Sequence, residues 1–270
     1  MKQVAFTILL FFGLTLFSQK AKPDEKIKII YKDATAETDD YKVYIEDAIA
    51  SAVQSKFKLR VFNKTNDFLL VKPAEIIFSA EGKTFPSSDR TFVVAPNDEA
   101  RAVIDFKGSG MQLDKYNLDV KGIYKASGGG KITETPGFEL PPNKNDFTTG
   151  NFNCTLKKND LKTDKSVVRF ECAYNGDGVG VIDTYKTVMV MPNKTDNPNS
   201  NKKIKVLVLE KGVKEDFTLI FNEVTGAGDM QKKPLQIKWG ETFRESKLIL
   251  LKGIMIPVEK DAAKTEEKNK

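Results

Sequence analysis

Apolar and polar residues alternate along most of this chain, in short runs broken by turn-forming residues. Tyr41, Val43 and Ile45 form one alternating set, and Phe57, Leu59 and Val61 form another. Further runs lie at 74–78, 91–94, 102–106 and 116–124. A period of two is the signature of an extended strand with one buried face. Asn63 to Asp67, Glu81-Gly82-Lys83, Ala95 to Asp98 and Gly108-Ser109-Gly110 punctuate these runs as turns. A second series follows at 151–157, 167–174, 187–191, 203–209, 216–222 and 235–239, with a further apolar run at 247–251. Short strands this closely spaced predict an all-β sandwich or barrel. The Ala-rich stretch 46–54 fits either a helical turn or an irregular edge strand.

The two series echo each other. Thr91-Phe92-Val93-Val94 is matched by Val206-Leu207-Val208-Leu209, and Ala102 to Phe106 by Phe217 to Phe221. Met111-Gln112 is matched by Met230-Gln231, Leu118 to Lys121 by Leu235 to Lys238, and the turn at Asn63 by the one at Asn175. The order is kept and only turns change length. A unit of this size is domain-sized, so the pattern predicts two similar domains in tandem, from an internal duplication. Between them, Gly128-Gly129-Gly130, Pro136-Gly137 and Pro141-Pro142 read as a linker. The expected division is a first sandwich over 26–127, a linker over 128–145, a second sandwich over 146–257 and a disordered tail over 258–270. That tail is rich in Lys, Glu and Ala.

The N-terminus changes the expected compartment. Met1-Lys2, the apolar run from Val4 to Phe17 and Ser18 have the layout of a secretory signal over 1–18. The run is too short for a membrane span, and no later stretch is a candidate transmembrane segment in the mature chain. The expected location is periplasmic or secreted. Cys154 and Cys172 fall on consecutive predicted strands, and an oxidising compartment favours a disulfide between them; two buried thiols are the alternative.

Charge and composition narrow the chemistry. The net charge is +6, but acidic residues are interspersed with the Lys throughout. Lys is a poorer bidentate reader of bases and phosphates than Arg, so nucleic acid is not an expected partner. The chain has no His. That removes Ser-His-Asp and Cys-His nucleophiles and any His-ligated metal site. Carboxylate catalysis needs no His, so Asp105, Glu139, Asp183 and Glu241 stay candidates for a glycan hydrolase. Asn175-Gly176-Asp177-Gly178, with Asp183 nearby, could serve a calcium loop, but tight strand turns use the same residues. Trp239, the single Trp, is either a sugar-stacking platform or a core residue.

Val61 to Thr65, Val71-Lys72-Pro73, Gly82 to Phe85 and Ala95-Pro96 resemble the immunoglobulin-like β-sandwich domains of exported bacterial proteins. The resemblance covers about a third of the first unit and is weaker in the second, which lacks a Val-x-Pro. It implies an exported sandwich and no activity. The expected function is a non-catalytic binding or structural module at the cell envelope or outside it. Its partner would be an unidentified protein or glycan, and it would need no cofactor or metal. The alternatives are a carboxylate-dependent glycan hydrolase and a calcium-dependent adhesion module.

Overall fold

The computed structural model describes residues 27–87, 89–202, 206–226 and 229–270. The signal expected over 1–18 lies outside them. The chain is all-β, built of antiparallel sheets. Its first part forms β1 (Ile29–Ile30), β2 (Ala34–Glu37), β3 (Tyr41–Ala50), β4 (Gln54–Asn63), β5 (Phe68–Val71) and β6 (Ile77–Ala80). Then come β7 (Lys83–Pro86), β8 (Phe92–Val94), β9 (Glu99–Lys107), β10 (Lys115–Val120) and β11 (Ile123–Ala126). β12 (Lys131–Ile132), β13 (Phe138–Leu140), β14 (Asp146–Thr149), β15 (Phe152–Leu161), β16 (Lys165–Tyr174) and β17 (Val179–Asp183) follow. The series continues with β18 (Val188–Val190), β19 (Asp196–Pro198), β20 (Val206–Glu210), β21 (Lys214–Asn222), β22 (Leu235–Lys238) and β23 (Phe243–Ser246). It ends with β24 (Leu248–Leu250), β25 (Ile254–Glu259) and one helix, α1 (Ala262–Asn269).

One face of the first sandwich is the ladder β3-β4-β9, extended by β1 and β2 on β3. The other face is two ladders in series, β25-β10-β6-β7 and β24-β11-β5-β8. β5 runs into β6 through one helical turn at Pro73–Glu75, and β10 runs into β11 through Gly122. The break is shared between these neighbours, because the Lys72 amide bonds the Gly122 carbonyl at 2.8 Å. Gly122 has φ +74°, and a Cβ there would lie 2.6 Å from Glu75 Cβ. Only glycine meets both demands. Between the faces, Val43, Ile45 and Leu59 of one pack with Leu69, Phe78 and Leu118 of the other.

The pairing order recurs in the second body. β15-β16-β21, with β14 on β15, forms one face; β13-β22-β18-β19 and β12-β23-β17-β20 form the other. A single helical turn at Thr184–Lys186 again interrupts the line from β17 to β18. The core here is aromatic: Trp239 stacks on Phe147 at 5.2 Å and meets Phe170 edge-on.

The strand pair following each body's last strand crosses to the other body. After β11 the chain does not return to the first sandwich; β12 pairs with β23 and β13 with β22. After β23, β24 pairs with β11 and β25 with β10. The first body is therefore 27–126 completed by 247–270, and the second is 127–246. Ile256 stands opposite Leu118, and Phe138 stands opposite Ile237.

This corrects the expected division of the chain. The segment 128–145 is not a spacer: Phe138 and Leu140 are buried in the second core, with Glu139 between them exposed. Flanking Gly and Pro hid a period-two strand. The apolar run near 248 belongs to the first body's sheet rather than the second's. The expected disordered tail holds the end of β25 and α1. Asp261 caps α1 by accepting from the Lys264 amide at 3.1 Å. Thr265 and Asn269, one turn apart, bond both amide and carbonyl of Ile30 and Lys28, where a further strand would otherwise sit. The stretch at 46–54 is extended, not helical; a bulge between Glu46 and Ile49 puts Asp47 at φ 53°.

The ladders also revise two expected equivalences. Phe106 and Phe221 close matching runs, and both are buried. Asn63 ends β4 as Tyr174, not Asn175, ends β16. Asn63 is buried and binds the Asp67 and Ala95 carbonyls, whereas Asn175 is exposed. Leu118 aligns with Ile237 rather than Leu235, since each faces the matching residue of its neighbour, Phe78 or Met189.

Candidate functional site: the junction of the two bodies

β5 and β17 were missed by the alternation rule, for a physical reason. Phe68-Leu69-Leu70-Val71 is apolar on both faces, so it has no period of two. Leu69 and Val71 face the first core; Leu70, with Phe68 beside it, faces a third, smaller core shared by both bodies. β17 does the same: Val179 and Val181 enter the shared core, and Ile182 enters the second. The backs of two sheets thus meet over Leu70, Val93, Ala126, Val179, Val181 and Val208.

A polar clamp borders this core. Lys72 Nζ lies 2.5 Å from Glu210 Oε1 of the other body and 4.6 Å above the Tyr124 ring. Tyr124 donates to Glu75 Oε2 at 2.8 Å. Burial, helped by the Glu75 charge, pushes the Tyr124 phenol up to about 12. Within the second body, the Arg244 guanidinium donates to the Gly128 carbonyl and meets Glu241 at 2.6 Å.

Where β8 and β20 end their sheets, the junction opens into a cleft of about 510 Å³. Leu70, Val93 and Val208 supply apolar lining, and Tyr185 and Val213 stand exposed beside them. Carboxylates border it. Glu99 is held by Arg60 at 2.9 Å, which draws its carboxyl below the usual range, and Asp216 is bonded by Arg169. Size and mixed lining suit a ligand or a partner's side chains.

The sequence candidates are not brought together. Asp105 accepts both bonds from the Gln54 amide. Asp183 caps the helical turn by accepting from the Tyr185 amide at 3.1 Å. Glu241 pairs with Arg244, and Glu139 projects outward from β13. Asp177 meets Lys211 at 2.9 Å, which lowers its carboxyl. Among the described residues, no three His, Cys, Asp or Glu side chains cluster as a metal site would. Trp239 is a core residue. Cys154 and Cys172 stand opposite each other on β15 and β16 and form a disulfide. No described helix is long and apolar enough to cross a membrane.

No family model matches this chain, and no curated protein does. Among solved structures, the secreted serine protease VesC from Vibrio cholerae is similar at 12% identity over 78% of this chain, with a TM-score of 0.19. This chain spans 48% of that protein's chain, and a likeness so slight carries no argument.

Proposed function

We propose that this is an exported, non-catalytic binding or structural module acting at the cell envelope or outside it, made of two immunoglobulin-like sandwiches that arose by internal duplication. The observation that carries the reading is the reciprocal exchange of β12–β13 and β24–β25. Each sandwich is completed by a strand pair continuous with the other, over a common apolar core. Motion at the junction must therefore work against two ladders, and the cleft beside it keeps its shape. A preformed site loses less ordering entropy on binding. Three-stranded against four-line sheets, with the same order in both bodies, support the immunoglobulin-like reading. The disulfide supports export.

A photoreactive amino acid at Tyr185, which stands exposed in the cleft, tests this in the native cell. The expected result is a discrete crosslinked partner in the envelope or medium fraction, absent when the group is placed at exposed Lys268 instead. Retention of the protein in the cytoplasm, or turnover of glycans by the purified protein, would overturn it.

A further inference from the structure

β24 is the end strand of its ladder, paired with β11 on one side and open on the other. With its flanks the stretch reads Lys247-Leu248-Ile249-Leu250-Leu251-Lys252, apolar between two lysines. Leu250 is 60% exposed and Ile249 55%. Protein edges are ordinarily blunted by charge, proline, a bulge or extreme shortness. The counterpart edge, β12, is two residues long. β24, Leu248–Leu250, is itself only three residues long and holds no charge, proline or bulge, so the lysines that flank the run are what guard this edge.

The register shows which backbone groups are free. Leu251 donates to the Ile123 carbonyl at 2.9 Å, so its pair is a hydrogen-bonded one. Antiparallel pairs alternate, so Ile249 also bonds toward β11, while the amides and carbonyls of Leu248 and Leu250 point to the open edge. The side chains of Ile249 and Leu250 project from opposite faces of the strand, so an added strand meets one apolar side chain on each face. Neither lysine has a carboxylate partner among the described residues. Near Lys247 the acids are already taken: Glu245 accepts from Asn151, and Asp177 from Lys211.

We propose that the β24 edge takes an extended acidic peptide of a partner protein by strand addition. Backbone bonds to Leu248 and Leu250 would hold it, and Lys247 and Lys252 would select Asp or Glu flanking a short apolar stretch. An antiparallel second copy must set outward residues against outward residues, Leu248 against Leu250, which brings Lys247 of one copy and Lys252 of the other to the same end of the pair with no acid between them. This site is separate from the cleft, so its failure leaves the Tyr185 crosslink unaffected, and the reverse.

The probe is a capped peptide, Glu-Val-Thr-Val-Glu, titrated by calorimetry against the full mature chain. Controls are Lys-Val-Thr-Val-Lys and an acidic peptide with N-methylated backbone. Expected are saturable binding of the acidic peptide, at least tenfold weaker binding of both controls, and weakening with salt. Leu250→Pro removes an outward donor without touching the β11 ladder, and should weaken binding at least tenfold. Lys247→Glu with Lys252→Glu leaves the strand intact and should reverse the preference toward the basic peptide. Absent binding, equal binding of both charge types, or indifference to these folded variants would overturn the proposal. So would a concentration-dependent dimer abolished by Leu250→Pro, which would assign the edge to a second copy.

Discussion

Replacing Ile256 by Ala tests where the last strands belong. Ile256 lies near the end of the chain, after every strand of the second body, yet is buried opposite Leu118 in the first core. Truncating a buried Ile to Ala costs about 2–5 kcal/mol. A loss near 3 kcal/mol would lower a body of this size in melting temperature by on the order of 10 °C. The molecule carries a reporter for the other body. Trp239 is the single Trp and sits in the second core; of the buried tyrosines, Tyr31, Tyr41 and Tyr116 sit in the first core and Tyr174 alone in the second, so the tyrosine signal is weighted toward the first. Thermal melts should follow Trp239 fluorescence and tyrosine near-ultraviolet circular dichroism together. Ile256→Ala should lower the tyrosine transition and leave the Trp239 midpoint nearly in place. Leu140→Ala, in the segment between the bodies' main ladders, should do the converse. The opposite assignment, or equal shifts of both signals in both variants, would refute the division into 27–126 with 247–270 and 127–246.

The disulfide bridges the pair that matches Val43 and Val61 of the first body, which also stand opposite each other. Replacing both Cys154 and Cys172 by Val should leave a folded protein, less stable to urea by about 3 kcal/mol from the chain-entropy model; failure to fold would show the bridge does more. Gly180 sits where Leu69 sits in the first body, but a Cβ there would lie 2.4 Å from a Phe152 ring carbon. Gly180→Ala should therefore lower the Trp239 transition by about 1–3 kcal/mol of overpacking. Burial pushes the Tyr31 and Tyr41 phenols up to about 12. The unfolded chain then loses these protons first, near pH 10, so stability should be intact below that pH and fall between about 10 and 12. Melting temperatures across that range check it, and Tyr41→Phe should blunt the fall.

What the sequence made legible follows from how each element is buried. Strands with one wet face, such as β3, β4, β16 and β21, announce themselves by alternation. β5 and β17 lie between two cores, so the alternation vanishes in a short apolar run. Phe138 and Leu140 were hidden because a strand of three residues between Gly137 and Pro141 looks like punctuation. Asn63 stands where a strand gives way to a turn, as its residue type suggests, but its burial and its bonds to the Asp67 and Ala95 carbonyls do not follow from the pattern. The pairing of Cys154 with Cys172 was readable because adjacent strands in one hairpin offer few alternatives. The exchange was not readable. A strand pair satisfies the same hydrophobic pattern whichever sandwich receives it, so its destination depends on the connections.

Those connections differ, and the difference explains why the chain crosses over. Four residues, Ser127 to Gly130, join β11 to β12, and three of them are glycine. Such a stretch could reverse as a hairpin and return β12 to the sheet it came from. A single residue, Lys247, joins β23 to β24. One residue cannot make the two-residue reversal of even the tightest common hairpin, so β24 must run onward, away from β23. Running onward takes it to β11, where it fills the place β12 would occupy by turning back. With that place filled, β12 has one remaining open edge of the same shape, beside β23. The short connection thus decides both crossings, and the flexible one accommodates the result. Val179, Val181 and Leu70 then seal the junction between the crossing strands. The first sandwich cannot be completed until the last part of the chain exists, whereas all strands of the second are contiguous over 127–246. The edge that this leaves open, β24, is the strand that had no freedom to turn.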